Sequence, residues 1–190
     1  MSLTTKLVGI DPSQRHIGLC LRSGTEVIFR QVNPKAKDIL TCGQELYEGV
    51  LQFIVDHDAC QADFAIERQL SVGAQSSSLM YHMQMKTLEV LYTVRAKRGA
   101  IVMPLPVQLQ SYVYHKHGLK PSKKATPYVD LYRDLTGDQR RLSIHCVDAY
   151  FLTELAREVK AGTWEYKLPY RETALHPWGI QNERGDKEVS

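Results

Sequence analysis

Three acids and one histidine in this sequence have the residue types and positions of a metal-dependent site. Asp11 and Glu67 each follow a short apolar run, and His145 and Asp148 open the last long amphipathic stretch. An acid directly after a short β-type run lies at a strand end, where the backbone is rigid and the carboxylate can leave the core. Carboxylate oxygens suit Mg²⁺ or Mn²⁺, and an imidazole ligand shifts the preference toward Mn²⁺. These residue types point to divalent-metal and phosphodiester chemistry.

His145 and Asp148 are three residues apart. If residues 144–160 are helical, the two side chains share one face within the first turn. The partial positive charge of a helix N-terminus would stabilise an ionised Asp148 there. The spacing therefore predicts a metal site at a helix start beside a sheet edge.

Phosphodiester hydrolysis develops charge on the attacking and leaving oxygens, and two ions about 3.5–4 Å apart neutralise both. Asp11, central in the predicted sheet, is the natural bridge between two such ions. Glu67 would serve one ion, and Asp148 with His145 the other. The predicted cofactor is therefore Mg²⁺ or Mn²⁺, with two ions in each site.

Each of these residues also has a simpler interpretation. Asp11 can form an Asx turn before Pro12, Glu67 can be a strand-end charge paired with Arg68, and His145 can be a helix-start residue bonded to the backbone. Their joint placement favours the metal site.

The hydrophobic pattern predicts a sheet that brings Asp11 and Glu67 together. An antiparallel meander is predicted at residues 6–10, 17–22 and 25–32, followed by a helix at 37–57 and a short buried strand at 62–67. After a β-α-β crossover that strand lies parallel to the first one, so Glu67 falls on the same sheet edge as Asp11.

The second half of the chain is predicted to be mainly helical. The predicted elements are a helix at 79–98, a strand at 100–103, and helices at 107–115, at 127–135 with Thr126 as its cap, and at 144–162 with Ser143 as its cap. The helix at 79–98 is apolar around more of its circumference than one core face requires. It is therefore either a central core helix or a helix that also meets a partner subunit.

From Thr163 onward the pattern ends in a tail with Trp164 and Trp178, which we expect to pack on this domain or on another molecule.

Composition predicts a soluble globular protein with one domain of 190 residues, since 43% of the residues are hydrophobic and 24% are charged. No apolar run approaches the roughly 20 residues of a membrane helix, and the first residues lack the pattern of a signal peptide. We expect a cytoplasmic protein, inside the host cell if the source is a virus, and not a secreted one. Four cysteines without Cys-x-x-Cys spacing, Cys20, Cys42, Cys60 and Cys146, predict reduced and mostly buried thiols.

Positive charge is concentrated in one segment. Between Lys86 and Lys124 there are eight Lys or Arg residues and one acid, Glu89. A solvated basic face explains this pattern, but a nuclease also needs such a surface to hold the DNA backbone. The predicted DNA-binding residues are Arg68, Leu70, Lys86, Lys116, Lys120, Lys123 and Lys124.

Three motifs resemble those of the RuvC-type Holliday junction resolvases. The string Val8-Gly9-Ile10-Asp11-Pro12-Ser13-Gln14-Arg15-His16-Ile17-Gly18 resembles the first motif, Ala65-Ile66-Glu67 the second, and His145-Cys146-Val147-Asp148-Ala149 the third. The resemblance covers residues 6 to about 160. The sequence departs from the family pattern at two positions. Ser13 stands where the family usually has glycine, and Leu70 stands where it has an aromatic residue that probes the junction. Some members have aspartate at the position of His145.

The resemblance implies an α/β, RNase H-like fold: a mixed five-stranded sheet, with three antiparallel strands and then parallel strands, flanked by helices. Residues 1–162 would form the nuclease domain and residues 163–190 a tail outside the resemblance. It implies a homodimer through the helix at 79–98 that nicks four-way DNA junctions symmetrically, with a helicase or recombination protein as a further partner. Asp11, Glu67, His145 and Asp148 would be the metal and catalytic residues, and Lys123 or Lys124 would assist at the leaving oxygen.

Other functions fit parts of the sequence. A nuclease of this fold that cuts flaps or RNA–DNA hybrid would keep the same ligands, and a monomer would favour it. A junction-binding protein without catalysis would use the basic surface alone. Sugar-kinase and actin-like ATPases also begin with a Gly-Ile-Asp turn, but they need a duplicated half for which 190 residues are too few.

Overall fold

The computed structural model describes residues 6–13, 16–68, 85–91, 101–119 and 127–164, and these residues are built around a mixed five-stranded sheet. The strands are β1 (Leu7–Pro12), β2 (Ile17–Ser23), β3 (Glu26–Val32), β4 (Asp63–Ile66) and β5 (Ile101–Val102). Their order across the sheet is β3-β2-β1-β4-β5. The first three strands are antiparallel, while β4 is parallel to β1 and β5 is parallel to β4. The predicted sheet is confirmed.

Helices cover both faces of this sheet. They are α1 (Ile39–Asp56), α2 (Pro106–His117), α3 (Pro127–Thr136) and α4 (Ile144–Ala161), and residues 85–91 are helical as well. These positions agree with the predicted helices to within about two residues at each end. Most of the predicted helix at 79–98, and the Thr126 cap, lie outside the described residues. Within the described ranges, no helix is long and apolar enough to span a membrane.

The two-residue period of the strands separates two cores. On one face, Val8, Ile10 and Phe64 are buried against α1 and the helical residues 85–91. On the other face, Cys20 and Ala65 are buried against α2, α3 and α4. The side chains of Asp11 and Glu67 follow the alternation of this second face, so both are directed to the side on which α4 lies.

Small residues let α4 approach the sheet very closely. A Cβ atom on Gly9 would overlap the backbone carbonyl of Ala149, and one on Gly18 would overlap the carbonyl of His145 and the amide nitrogen of Cys146. Glycine at these two strand positions is therefore required by close backbone approach. The start of α4, with His145 on it, is seated directly on β2.

Polar contacts fix α4 along its length. At its start, the hydroxyl of Ser143 accepts a hydrogen bond from the amide of Cys146 at 3.3 Å, as the sequence predicts. In its middle, Glu154 is buried and pairs with Arg22 of β2 at 3.5 Å. Near its end, Lys160 pairs with the buried Asp63 of β4.

The remaining features agree with the predictions where the structure describes them. All four cysteines are free thiols, and three of them, Cys20, Cys42 and Cys146, are buried. Trp164 packs edge-to-face on Tyr112, with 5.1 Å between ring centroids, so the tail begins by packing on its own domain. Trp178 lies outside the described residues.

Candidate active site

Asp11 is a buried carboxyl at the carboxyl end of the central strand. Its residue is only 3% exposed. The prediction that the strand ends at Ile10 is wrong by two residues, because Asp11 pairs with Gly18 and Pro12 with Ile17 in the β1–β2 ladder. Asp11 is therefore held inside a paired strand, which fixes its backbone more firmly than a turn would.

Glu67 lies next to Asp11 on the neighbouring strand. Its amide donates a hydrogen bond to the carbonyl of Ile10 at 3.0 Å, so the β1–β4 ladder continues through this residue. The two side chains are hydrogen-bonded to each other. The predicted meeting of Asp11 and Glu67 at one sheet edge is what the structure shows.

His145 and Asp148 reach the same edge from the first turn of α4. Nδ1 of His145 is hydrogen-bonded to Oδ2 of Asp11 at 2.7 Å. The carboxylate oxygen Oδ1 of Asp148 is buried and has no hydrogen-bond partner among the described residues. The structure thus brings together all four residues that the sequence nominates.

Crowding of acids in a buried place favours their neutral forms. Burial, with the nearby charge of Asp148, raises the pKa of Asp11 to about 8, against a smaller opposing effect of its hydrogen bond with Glu67. Burial, with the nearby charge of Glu67, raises the pKa of Asp148 to about 7, and His145 opposes this rise. A cluster of this kind gains most from a bound cation, because the cation compensates the charges that burial penalises.

We expect the free energy of unfolding to fall as the pH rises from about 4 to about 8 when no divalent cation is present. The pKa of Asp11 is about 8 in the folded protein and 3.8 ordinarily, so between these values the folded protein keeps a proton that the unfolded chain has lost. The loss is at most about 1.4 kcal/mol per pH unit for one group. Thermal unfolding in EDTA across this range measures it, and Asp11→Asn should flatten the dependence. Identical pH profiles for the two proteins would contradict the assignment.

The donor set fits a hard divalent cation. Three carboxylates and an imidazole are the ligands that Mg²⁺ and Mn²⁺ take, and the unpartnered oxygen of Asp148 is a buried acceptor that a cation would satisfy. Within the described residues, no three His, Cys, Asp or Glu side chains already surround one ion-sized point. The contact of Asp11 with His145 turns these two groups toward each other, so binding an ion requires them to reorient.

Sequence reasoning missed His16, which lies beside the cluster. Its ring is 6.1 Å from that of His145 between centroids, and its Nδ1 is buried without a hydrogen-bond partner in the described part of the chain. His16 precedes β2 by one residue and shares a face with Gly18, the residue that α4 touches. That two-residue spacing is the signal that would have found it.

A second group missed from the sequence lines a cleft of about 470 Å³ that opens from the carboxylates. One of these residues is Tyr128, whose hydroxyl is buried and unpartnered among the residues described. In the sequence Tyr128 has only the pattern of an amphipathic helix. The cleft is lined by Glu67, Pro106, Val107, Leu109, Gln110, Tyr114, Tyr128, Ile144 and Asp148.

Only three of the seven predicted DNA-binding residues lie within the described residues. Lys86 pairs with Glu89 at 2.7 Å and Lys116 with Glu158 at 2.9 Å, so acids of the protein offset both charges. Arg68 is half-buried, and its amide donates to the carbonyl of Pro104 at 2.8 Å. The other four, Leu70, Lys120, Lys123 and Lys124, lie outside the described residues and stay predictions.

Comparison with known proteins identifies the fold. No protein-family model matches the chain, and neither does any curated protein sequence. Among solved structures, T. thermophilus RuvC in complex with a Holliday junction substrate matches with a TM-score of 0.64 and 14% identity, covering 84% of this chain and 97% of that one. A Thermus thermophilus RuvC structure matches with a TM-score of 0.62 and 15% identity, covering 84% of this chain and 98% of that one. The chain therefore has the RNase H-like fold of RuvC.

Proposed function

We propose that this protein is a metal-dependent, structure-selective DNA endonuclease that resolves four-way junctions by paired symmetric nicks. The observation that carries the proposal is the convergence of Asp11, Glu67, His145 and Asp148 at the carboxyl edge of a RuvC-like sheet. The three motifs that resemble the resolvase family contain all four of these residues.

Asp11, Glu67 and Asp148, with His145 as a nitrogen donor, would hold Mg²⁺ or Mn²⁺, and we propose two ions in each site. When bound, such ions neutralise the attacking and leaving oxygens and lower the pKa of a bound water. Asp11 lies on β1, which is paired on both sides, so its carboxylate projects from a fixed backbone. Nδ1 of His145 contacts Asp11, so the other ring nitrogen would either ligate an ion or accept the proton of the attacking water, but not both.

We further propose that the protein acts as a homodimer through the helix predicted at 79–98. Two sites related by a two-fold axis match the two-fold symmetry of a four-way junction. Within that helix, Met85 is 44% exposed while Val90 and Leu91 are buried in the domain core. An apolar side chain thus remains on the surface of the described part of this helix. Sedimentation of the purified protein, with and without junction DNA, tests the dimer.

The test of function compares a labelled four-way junction with a matched duplex and a flap, each in Mg²⁺, Mn²⁺ or EDTA. Paired nicks at symmetric positions in the junction alone, lost in EDTA, support the proposal. Junction binding without cutting in either metal would leave a non-catalytic junction-binding protein. Preferential cutting of the flap, or of an RNA–DNA hybrid, would indicate a different nuclease with this fold.

A further inference from the structure

The cleft beside the carboxylates has one acidic end and mostly apolar walls. Glu67 and Asp148 lie at that end, and α2 and α3 supply the walls. Val107, on the outer wall, is 60% exposed. The cleft is thus continuous with the candidate active site and open to a ligand that reaches the carboxylates.

Two buried polar groups in this cleft are unsatisfied. The hydroxyl of Tyr128 and the carboxylate oxygen Oδ1 of Asp148 are both buried without hydrogen-bond partners among the described residues. Buried polar atoms are nearly always paired in folded proteins. A bound cation would satisfy the oxygen of Asp148, so the hydroxyl of Tyr128 is the group that indicates a further ligand. Burial, with the nearby Tyr114, Asp148 and Glu67, raises the pKa of Tyr128 above its usual range.

The walls suit a planar aromatic ligand. The rings of Tyr114 and Tyr128 meet edge-to-face at 6.0 Å, so they form one aromatic corner. Gln110 is exposed and donates a hydrogen bond of 3.3 Å to the hydroxyl of Tyr114, which leaves its amide oxygen able to accept. Aromatic surface with a few hydrogen-bonding groups is how proteins bind single unstacked bases. A volume of about 470 Å³ is within the range of small-ligand sites.

We propose that this cleft is a subsite for one unstacked deoxynucleotide adjacent to the scissile phosphate. The hydroxyl of Tyr128 donates a hydrogen bond to that nucleotide, the two tyrosine rings hold its base, and Gln110 contacts the base edge. This inference rests on the proposed function and deepens it, because it assigns residues to the choice of cleavage position. A paired duplex must first unstack a base to fill the cleft, whereas a strand at a branch point is already distorted.

The test fills the cleft and compares the effect with a matched change elsewhere. Val107→Trp adds an indole to the cleft wall, while Val55→Trp makes the same change on α1, at a residue of similar exposure, 54%, that does not line the cleft. We expect Val107→Trp to reduce single-turnover junction cleavage by about 10-fold or more and Val55→Trp to leave it unchanged. Equal rates for Val107→Trp and the unmodified protein, or equal losses for both variants, would overturn the subsite.

A binding measurement separates the subsite from catalysis. Junctions carrying 2-aminopurine next to the cut position are titrated with protein in EDTA, where unstacking of this base changes its fluorescence. The unmodified protein and Val55→Trp should give the same change, and Val107→Trp should not give it. Absence of any change with the unmodified protein would overturn the subsite even if cleavage is normal. If the protein gives the fluorescence change but cuts no DNA in any metal, the subsite is supported and the proposed nuclease function is overturned.

Tyr128→Phe tests the hydroxyl alone, since it keeps the ring. We expect cleavage to fall by about 3- to 10-fold, as for the loss of one hydrogen bond, with an unchanged melting temperature because the hydroxyl has no protein partner among the described residues. Cleavage at the unmodified rate would show that the hydroxyl does not make the proposed hydrogen bond.

Discussion

Replacement of Asp11 by asparagine should reduce junction cleavage by about 1,000-fold or more while leaving junction binding intact. Asparagine preserves the shape of the side chain and a possible contact with His145, but it removes the charge that a divalent cation needs. Single-turnover cleavage in Mn²⁺ and a gel-shift titration in EDTA measure the two effects. Cleavage by the variant within about 10-fold of the unmodified rate would exclude Asp11 from catalysis.

The same substitution should make the protein more stable when no cation is present. Asp11 is buried among other acids with a pKa raised to about 8, so near neutral pH folding must keep it protonated, and asparagine removes this cost. We expect a melting temperature in EDTA that is higher by roughly 2–4 °C. A loss of activity that accompanies a gain of stability cannot be explained by misfolding.

Asp63→Asn is the matched control. Asp63 is also a buried acid on the α4 side of the sheet, but it lies at the opposite end of its strand and pairs with Lys160. Removing its charge should lower stability by about 1–3 kcal/mol, because Lys160 loses its partner, and should leave cleavage close to normal. The two substitutions thus have opposite expected effects on stability, and only Asp11→Asn is expected to reduce activity. Equal effects of both would contradict the assignment of Asp11 to the site.

Gly9→Ala should destabilise the protein by about 3 kcal/mol or prevent folding. The new Cβ would overlap the backbone carbonyl of Ala149, and a backbone atom can give way only if the whole of α4 shifts. Urea unfolding measures the change. A midpoint within error of the unmodified protein would show that α4 does not lie as close to β1 as described.

Gly49→Ala is the control for this prediction. A Cβ there would lie 2.5 Å from Cγ1 and 3.0 Å from Cγ2 of Val32, so that side chain must shift, but no backbone atom is in the way and alanine favours the helical conformation of α1. We expect a smaller loss of stability than for Gly9→Ala. Gly18→Ala tests the link between this packing and activity, because its Cβ would push against the backbone of His145. If this variant folds, its cleavage should fall more than its stability accounts for.

The sequence carried most of the information about the sheet and about the four central residues. The strands were recognisable because their apolar runs are short and separated by turn residues, and the parallel placement of β4 follows from the crossover rule. His145 and Asp148 were recognisable because helical spacing places them on one face. The apolar runs and the helical spacing are local patterns, and the crossover rule applies to any β-α-β unit, so these predictions do not depend on knowing which distant segments touch.

The features that were missed depend on contacts between distant segments. The distance of 6.1 Å between the rings of His16 and His145 arises because Gly18 lets α4 touch β2, and the two-residue spacing of His16 from Gly18 becomes informative only once that contact is known. Tyr128 has the pattern of an ordinary amphipathic helix, and only packing shows its hydroxyl to be unpaired. The end of β1 was misplaced because Pro12 was assigned to a turn, whereas it pairs with Ile17.

The attachment of α4 at three points also determines how the site can be lost. The helix is about 27 Å long and is held to β2 at its start, to Arg22 in its middle and to Asp63 near its end. His145 and Asp148 lie in the first turn, where the Ser143 cap and the close approach to Gly18 oppose local fraying, and the two later attachments hold the rest of the helix on the same face of the sheet. The helix that supplies His145 and Asp148 also supplies much of the second core, so we expect loss of that core to remove the site with it.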